Sequence, residues 1–108
     1  MTKYRTLDQL EEEYFRQHPE EIDPYLAEIF EEFARDSNSA GLLASLRIIA
    51  RLKGMSAIAD KTGMSRQGLQ KALSARGNPR LENVNSIMQA LGYRLVPQKL
   101  ELAGEGQD

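Results

Sequence analysis

The amino-acid sequence predicts an all-α fold, a small bundle of short helices, and three observations carry that expectation. Apolar residues recur at three- and four-residue spacing along nearly the whole chain, the period of a single helix face. The segments marked in this way open on capping residues and close on glycines, most clearly Gly54 and Gly92. Only Tyr93-Arg-Leu-Val-Pro97 alternates with a period of two. It is read as a short C-terminal strand, which Pro97 would confine to an edge or to its own end.

Taken in order, Thr6 followed by Gln9 is a capping-box pattern that opens a helix of about ten residues. That helix carries Leu7, Leu10, Tyr14 and Phe15 and should stop before Pro19, because the residue ahead of a proline disfavours helical geometry. Asp23-Pro24 supplies an N-cap and a pre-set first helical residue. Tyr25, Leu26, Ile29, Phe30 and Phe33 then form an apolar stripe over a strongly acidic opposite face. Asp36-Ser-Asn-Ser39 is polar and turn-prone. Residues 40–53 read as the next helix, with Leu42, Leu43, Leu46, Ile49 and Ala50 inward and Arg47, Arg51 and Lys53 outward. Short helices follow at 56–62 and 66–74, and a longer one at 81–91 with Gly92 just past its end. The Gly104–Asp108 tail is expected to be mobile.

Length and composition narrow the function classes. A chain of 108 residues fits one domain with a modest core. The absence of cysteine excludes disulfides and thiolate metal sites. No apolar run approaches the roughly 18 residues needed to span a bilayer, and no N-terminal stretch resembles a signal peptide, so a cytoplasmic protein without membrane association is expected. The net charge of −2 is unevenly distributed. Residues 1–36 hold 4 Lys/Arg against 11 Asp/Glu, a net of −7; residues 37–100 hold 10 against 2, a net of +8; and the last eight residues add −3. Such a basic segment either meets phosphate or is simply a solvated surface.

The informative stretch runs from Ser56 to Leu73. Two short helices joined by a tight turn need a small residue where they cross, here Ala59, and a residue tolerant of positive φ, here Gly63. Met64 can plug back into the core, Ser65 can cap the second helix, and Leu69 and Leu73 pack inward. Arg66, Gln67, Gln70 and Lys71 are left on the outer face. Arginine suits the O6/N7 edge of guanine and glutamine the N6/N7 edge of adenine, and in a helix-turn-helix the start of the second helix meets base edges in the major groove. Ser56 opens the first helix, where backbone N–H groups can hold a phosphate. Arg76, Asn78 and Arg80 lie in the following loop, suited to backbone phosphates. The alternative is an ordinary helical hairpin with a polar face.

Residues 39–97 resemble the lambda-repressor-like (Xre-type) helix-turn-helix and, within it, the HigA-like addiction-module antitoxins. The resemblance rests on Ile49-Ala-Arg-Leu-Lys-Gly-Met55, Gly63-Met-Ser-Arg66, Leu73-Ser, Gly77-Asn-Pro79 and Ala90-Leu-Gly-Tyr-Arg-Leu95. Tyr25-Leu26 followed by Glu31-Glu32 and Asp36 is similar to the acidic helix that precedes the repressor-like part in these antitoxins. Gln70 and Asn83 depart from the aromatic and the threonine common there, and Gly68 weakens its helix by about 1 kcal/mol against alanine. These departures bear on the operator read more than on the fold.

The resemblance implies acidic N-terminal helices over 1–38, a DNA-binding domain over 39–97 and a polar tail over 98–108. It implies an antitoxin of a type II toxin-antitoxin pair that neutralises a RelE-like mRNA-cleaving toxin and, as a homodimer, represses its own operon on double-stranded operator DNA. The −7 segment offers a surface complementary to a basic partner, or is an acidic solvated face over the core. A symmetric operator would set the two recognition helices roughly 34 Å apart. The Tyr93–Val96 segment either pairs with its copy in a dimer or packs on its own domain. The alternative function is a stand-alone phage-type or chromosomal regulator with no toxin partner. An enzyme is not expected: His18 is the sole histidine, no nucleophile motif accompanies it, and the glutamates of residues 11–32 read as solvated helix faces. No cofactor or metal is implied.

Overall fold

The computed structural model describes residues 6–100. Among them the chain forms α1 (Leu7–Gln17), a 3-10 turn (Pro19–Glu21), α2 (Ile22–Asp36), α3 (Ser39–Lys53), α4 (Met55–Thr62), α5 (Arg66–Ala72) and α6 (Leu81–Leu91), with no strand. The all-α expectation is met, and no helix is long and apolar enough to cross a membrane.

Local chemistry accounts for most boundaries. The Thr6 hydroxyl accepts the Gln9 N–H at 3.0 Å and the Gln9 side chain accepts the Thr6 N–H at 2.9 Å, satisfying two amides that the helix itself leaves unpaired. The helix ends at His18, ahead of Pro19. The start of α2 differs from expectation: it begins at Ile22 rather than after an Asp23 cap, because the 3-10 turn runs straight into it. The earlier start carries Ile22 into the core, and Pro24 falls in the first turn, where its missing N–H costs no helix bond. Ser37, at φ 56, turns the chain out of α2, and the Asn38 side chain caps α3 by accepting the Gly41 N–H at 3.1 Å.

The third helix is the centre of the bundle and touches α1, α2, α4 and α6. Its expected inward residues Leu42, Leu43, Leu46, Ile49 and Ala50 are buried, joined by Ile48 and Ser45. The Ser45 hydroxyl is satisfied by Tyr25 Oη at 2.7 Å, as a buried polar group requires. Phe15, Ile22 and Leu26 from the N-terminal helices share one core with Ile58, Leu69, Leu73 and Ile87. Each such side chain withdrawn from water contributes about 1.5–3 kcal/mol.

Two expectations are corrected, for Arg47 and Arg51 and for Tyr93–Pro97, and α1 adds a finding that the sequence leaves open. Arg47 and Arg51 do not point into solvent: Arg47 reaches Asp8 at 3.0 Å and Arg51 reaches Glu12 at 2.9 Å, both on α1. On α1 only Phe15 is buried, while Leu7, Leu10 and Tyr14 are exposed, since the face that α1 turns to α3 is the one that meets the two arginines. Tyr93–Pro97 is irregular rather than a strand. Tyr93 and Leu95 pack on the core from this segment, and among the described residues no second strand stands beside it to complete a ladder. The tail at Gly104–Asp108 lies outside the described residues.

Candidate nucleic-acid interface

The residues that join α4 to α5 adopt the conformations their chemistry favours. Gly63 takes the left-handed geometry, φ 76, that closes α4, which a side chain would strain. The Met64 N–H then donates to the Ala59 carbonyl at 3.1 Å, and Met64 is packed against the core. The Ser65 hydroxyl accepts the Gly68 N–H at 2.9 Å and caps α5. Ala59 is buried, and α4 packs against both α5 and α6.

Leu69 and Leu73 are both 0 % exposed. With these two positions fixed inward at i and i+4, helical geometry sets Gln67 and Lys71 on the opposite side and Gln70 on the flank, while Arg66, three residues before Leu69, stands on their own side in the first turn. All four are exposed, as are Ser56, Ser65, Arg76, Asn78 and Arg80. The fold therefore leaves every predicted contact residue accessible.

The nine fall into subsets. Arg66 Nη1 donates to the Ser56 hydroxyl at 3.2 Å, tying the start of α5 to the first turn of α4. Lys71, Arg76, Asn78 and Arg80 line one shallow groove of about 330 Å³ between α5 and the loop to α6. Ser56, Ser65, Arg66, Gln67 and Gln70 are not part of that groove. Ser65 is engaged by its own helix through the cap. Arg80 flanks the start of α6 and lies 3.7 Å from Glu82, an exposed pair of the kind that contributes little to stability.

Gly77 sets the position of the loop. A Cβ there would lie 2.1 Å from the Ala72 carbonyl oxygen, so the loop backbone rests directly against the end of α5. This close approach holds Arg76 and Asn78 beside Lys71. Asn83, which sequence reasoning treated only as a departure from a family pattern, also lines the groove. Its place in the first turn of α6, directly after the basic loop, was the available signal.

The charge of this surface is local. Residues 56–83 carry five Lys/Arg (Lys61, Arg66, Lys71, Arg76, Arg80) against Asp60 and Glu82. Arg47 and Arg51, counted in the basic segment of the sequence, are matched by Asp8 and Glu12 and do not add to the interface. Away from it, His18, Glu20 and Glu21 bring potential ligand atoms within 4.8 Å of one another. They stand at the surface, and Glu21 already accepts the Tyr14 hydroxyl at 2.8 Å. A search of the sequence for cysteine and histidine partners alone passed over this trio.

Comparison with known proteins places this geometry in context. Residues 4–99 match a family described as probable addiction module antidote protein. An uncharacterised protein of Haemophilus influenzae (strain KW20 / Rd) is 43% identical over 84 residues, covering 78% of this chain and 82% of that protein. No solved structure matches the chain. The family match runs from the acidic helices through the α4–α5 pair and the groove to the irregular segment after α6. On that span the chain belongs to the family of probable addiction module antidote proteins.

Proposed function

We propose that the chain is the antitoxin of a type II toxin-antitoxin pair and that it also represses its own operon by reading operator DNA through α5. The observation that carries the DNA-binding part is the outer face of α5: Arg66, Gln67, Gln70 and Lys71 are exposed together over two fully buried leucines. Arginine and glutamine at adjacent outward positions can make bidentate contacts with guanine and adenine, while Arg76, Asn78 and Arg80 anchor to phosphates at its far end. In this reading α4 and α5 are the two helices of a lambda-repressor-like helix-turn-helix, residues 39–97 are the DNA-binding part, and the chain acts in the cytoplasm as a binding protein rather than an enzyme.

An antidote implies a toxin. An mRNA-cleaving toxin of the RelE-like kind carries basic surface for its substrate, and the −7 charge of residues 1–36 supports pairing with it. The closer likeness to HigA-like antitoxins belongs to the same reading. So does a homodimer, since a symmetric operator is matched by two copies with recognition helices about 34 Å apart.

The test is a titration of the purified chain against a duplex of its own upstream DNA at several salt concentrations, beside an Arg66→Ala, Lys71→Ala variant. Site-specific binding that weakens with salt and is lost in the variant is expected. Equal binding by the variant, or none by the wild type, overturns DNA reading by α5. Operator binding without any toxin partner would instead identify a stand-alone regulator.

A further inference from the structure

The first helix is turned inside out. Its side towards α3 carries Asp8 and Glu12, paired with Arg47 and Arg51, and Phe15. Its outer side carries Leu7, Leu10 and Tyr14, which remain 72 %, 50 % and 45 % exposed. These three lie at i, i+3 and i+7 and so form one stripe. An isolated exposed leucine is ordinary. A stripe of two leucines and a tyrosine on a helix whose polar side is the one turned towards α3 is not, because rolling the helix by half a turn would bury it. The ion pairs to α3 prevent that roll, so the stripe is held outward.

Helical geometry sets Glu11 on one flank of this stripe and Glu13 on the other. Glu21 stands at its end, accepting the Tyr14 hydroxyl at 2.8 Å and fixing the ring. Alongside α1 runs an open groove of about 930 Å³ in which Asp8, Glu12 and Glu13 are met by Arg16 and Arg51. That groove is close to neutral, and the acidic character beside the stripe comes from Glu11, Glu13 and Glu21. The stripe is therefore apolar at its centre and acidic at its rim. Two copies of the chain meeting here would bring the same acidic rims together, which like-charge repulsion opposes. A partner with apolar residues ringed by lysine and arginine would meet the stripe with opposite charge.

We infer that the Leu7–Leu10–Tyr14 face of α1 is the docking surface for a basic protein partner, the toxin, with the two leucines and the tyrosine as anchors and the surrounding glutamates orienting the approach. The inference rests on the antitoxin reading above and adds to it the surface used. The docking face is separate from α5, so that toxin capture and DNA reading use different sides of one bundle.

The experiment takes the full chain and the product of the open reading frame adjacent to its gene, measured by isothermal titration calorimetry. The wild type is compared with Leu10→Ser and with the double variant Leu7→Ser, Leu10→Ser. Loss of an anchor is expected to weaken binding by about 30-fold or more, to leave the thermal midpoint within the error of the wild type, and to leave operator binding unchanged. Raising salt should weaken the wild-type complex by slowing association. Unchanged affinity in the double variant overturns the docking surface while leaving the antitoxin reading standing. Failure of the wild type to bind overturns the antitoxin reading itself. Self-association of the wild type that Leu10→Ser abolishes assigns the stripe to a second copy instead.

Discussion

Arg47 on α3 donates through Nη1 to the carbonyl of Leu73 at 2.5 Å while its other terminal nitrogen holds Asp8 at 3.0 Å. Leu73 is the residue that ends α5, where carbonyls have no helical partner. One guanidinium thus caps the recognition-helix candidate from the core side and ties it, through α3, to the N-terminal helix. A cation at a helix C-terminus is also favoured by the helix dipole. The side chain is 21% exposed, so the contacts are only partly screened by water.

Replacing Arg47 with methionine keeps much of the aliphatic packing and removes both contacts. A hydrogen bond to a charged group contributes about 1.5–3 kcal/mol, so Arg47→Met should lower the unfolding free energy by about 2 kcal/mol. In hydrogen exchange, the amides of α5 and of the first turn of α1 should both exchange faster, with α6 little changed. Acceleration confined to one of the two would show that the arginine does not couple them.

The same residue shows where reading the sequence stops. Helix periods, the Thr6 capping box, the left-handed glycines and the inward leucines of α3 and α5 are local signals, and all are legible because their partners lie within a turn or two. Arg47 and Asp8 are 39 residues apart, so nothing in the neighbourhood of either names the other. Arginines on a helix with an apolar face read as solvent-facing, and the apolar residues of α1 give no sign of which of them turns inward. Both have one cause: which side of α1 meets α3 is decided by two ion pairs across the bundle. The strand expected at Tyr93–Pro97 failed for a related reason, since alternation creates a strand only where another strand is available to pair. For the interface, the exposed side chains were legible, and the groove that Gly77 holds together was not.

The ion pairs predict an acid limb in stability. Burial pushes the Glu12 carboxyl up, but hydrogen bonds from Arg16 and Arg51 more than offset this and hold it below the ordinary 4.5. The unfolded chain then takes up the proton first as pH falls. The stabilisation is complete above about 4.5 and is lost as pH drops through the folded value. Glu11 has the opposite sign, because burial and the nearby Asp8 raise it. Urea unfolding across the acidic range should therefore show a shallower pH dependence for Glu12→Gln than for the wild type. Glu11→Gln should be no less stable than the wild type at neutral pH. A Glu12→Gln curve parallel to the wild type would remove Glu12 from the acid limb.

Gly77 should tolerate no side chain. The alanine Cβ would meet the Ala72 carbonyl oxygen at 2.1 Å, a backbone atom that cannot rotate away, so the loop must move. Overpacking of this kind destabilises by about 1–3 kcal/mol. Because the displaced loop carries Arg76 and Asn78, Gly77→Ala should also weaken DNA binding with a smaller dependence on salt, having lost phosphate contacts. Loss of stability with DNA affinity and salt slope intact would show that the loop is structural only.

Tyr93 governs the alkaline side. Its hydroxyl donates to Asp23 on α2 and its N–H donates to the Met88 carbonyl at 2.8 Å, so it fastens the irregular segment after α6 to two helices. Burial and the Asp23 carboxylate push its pKa up to about 12 from 10.0. The unfolded chain loses this proton first as pH rises. The stabilisation is therefore complete below pH 10 and is lost between there and about 12. Tyr93→Phe keeps the ring and removes the bond. At neutral pH it should cost about 1 kcal/mol, while in alkali its stability should fall less steeply than that of the wild type. If the two curves run parallel above pH 10, the alkaline loss arises from the other raised tyrosines, Tyr14 through its bond to Glu21 and Tyr25 through burial, and Asp23 serves only to anchor the segment.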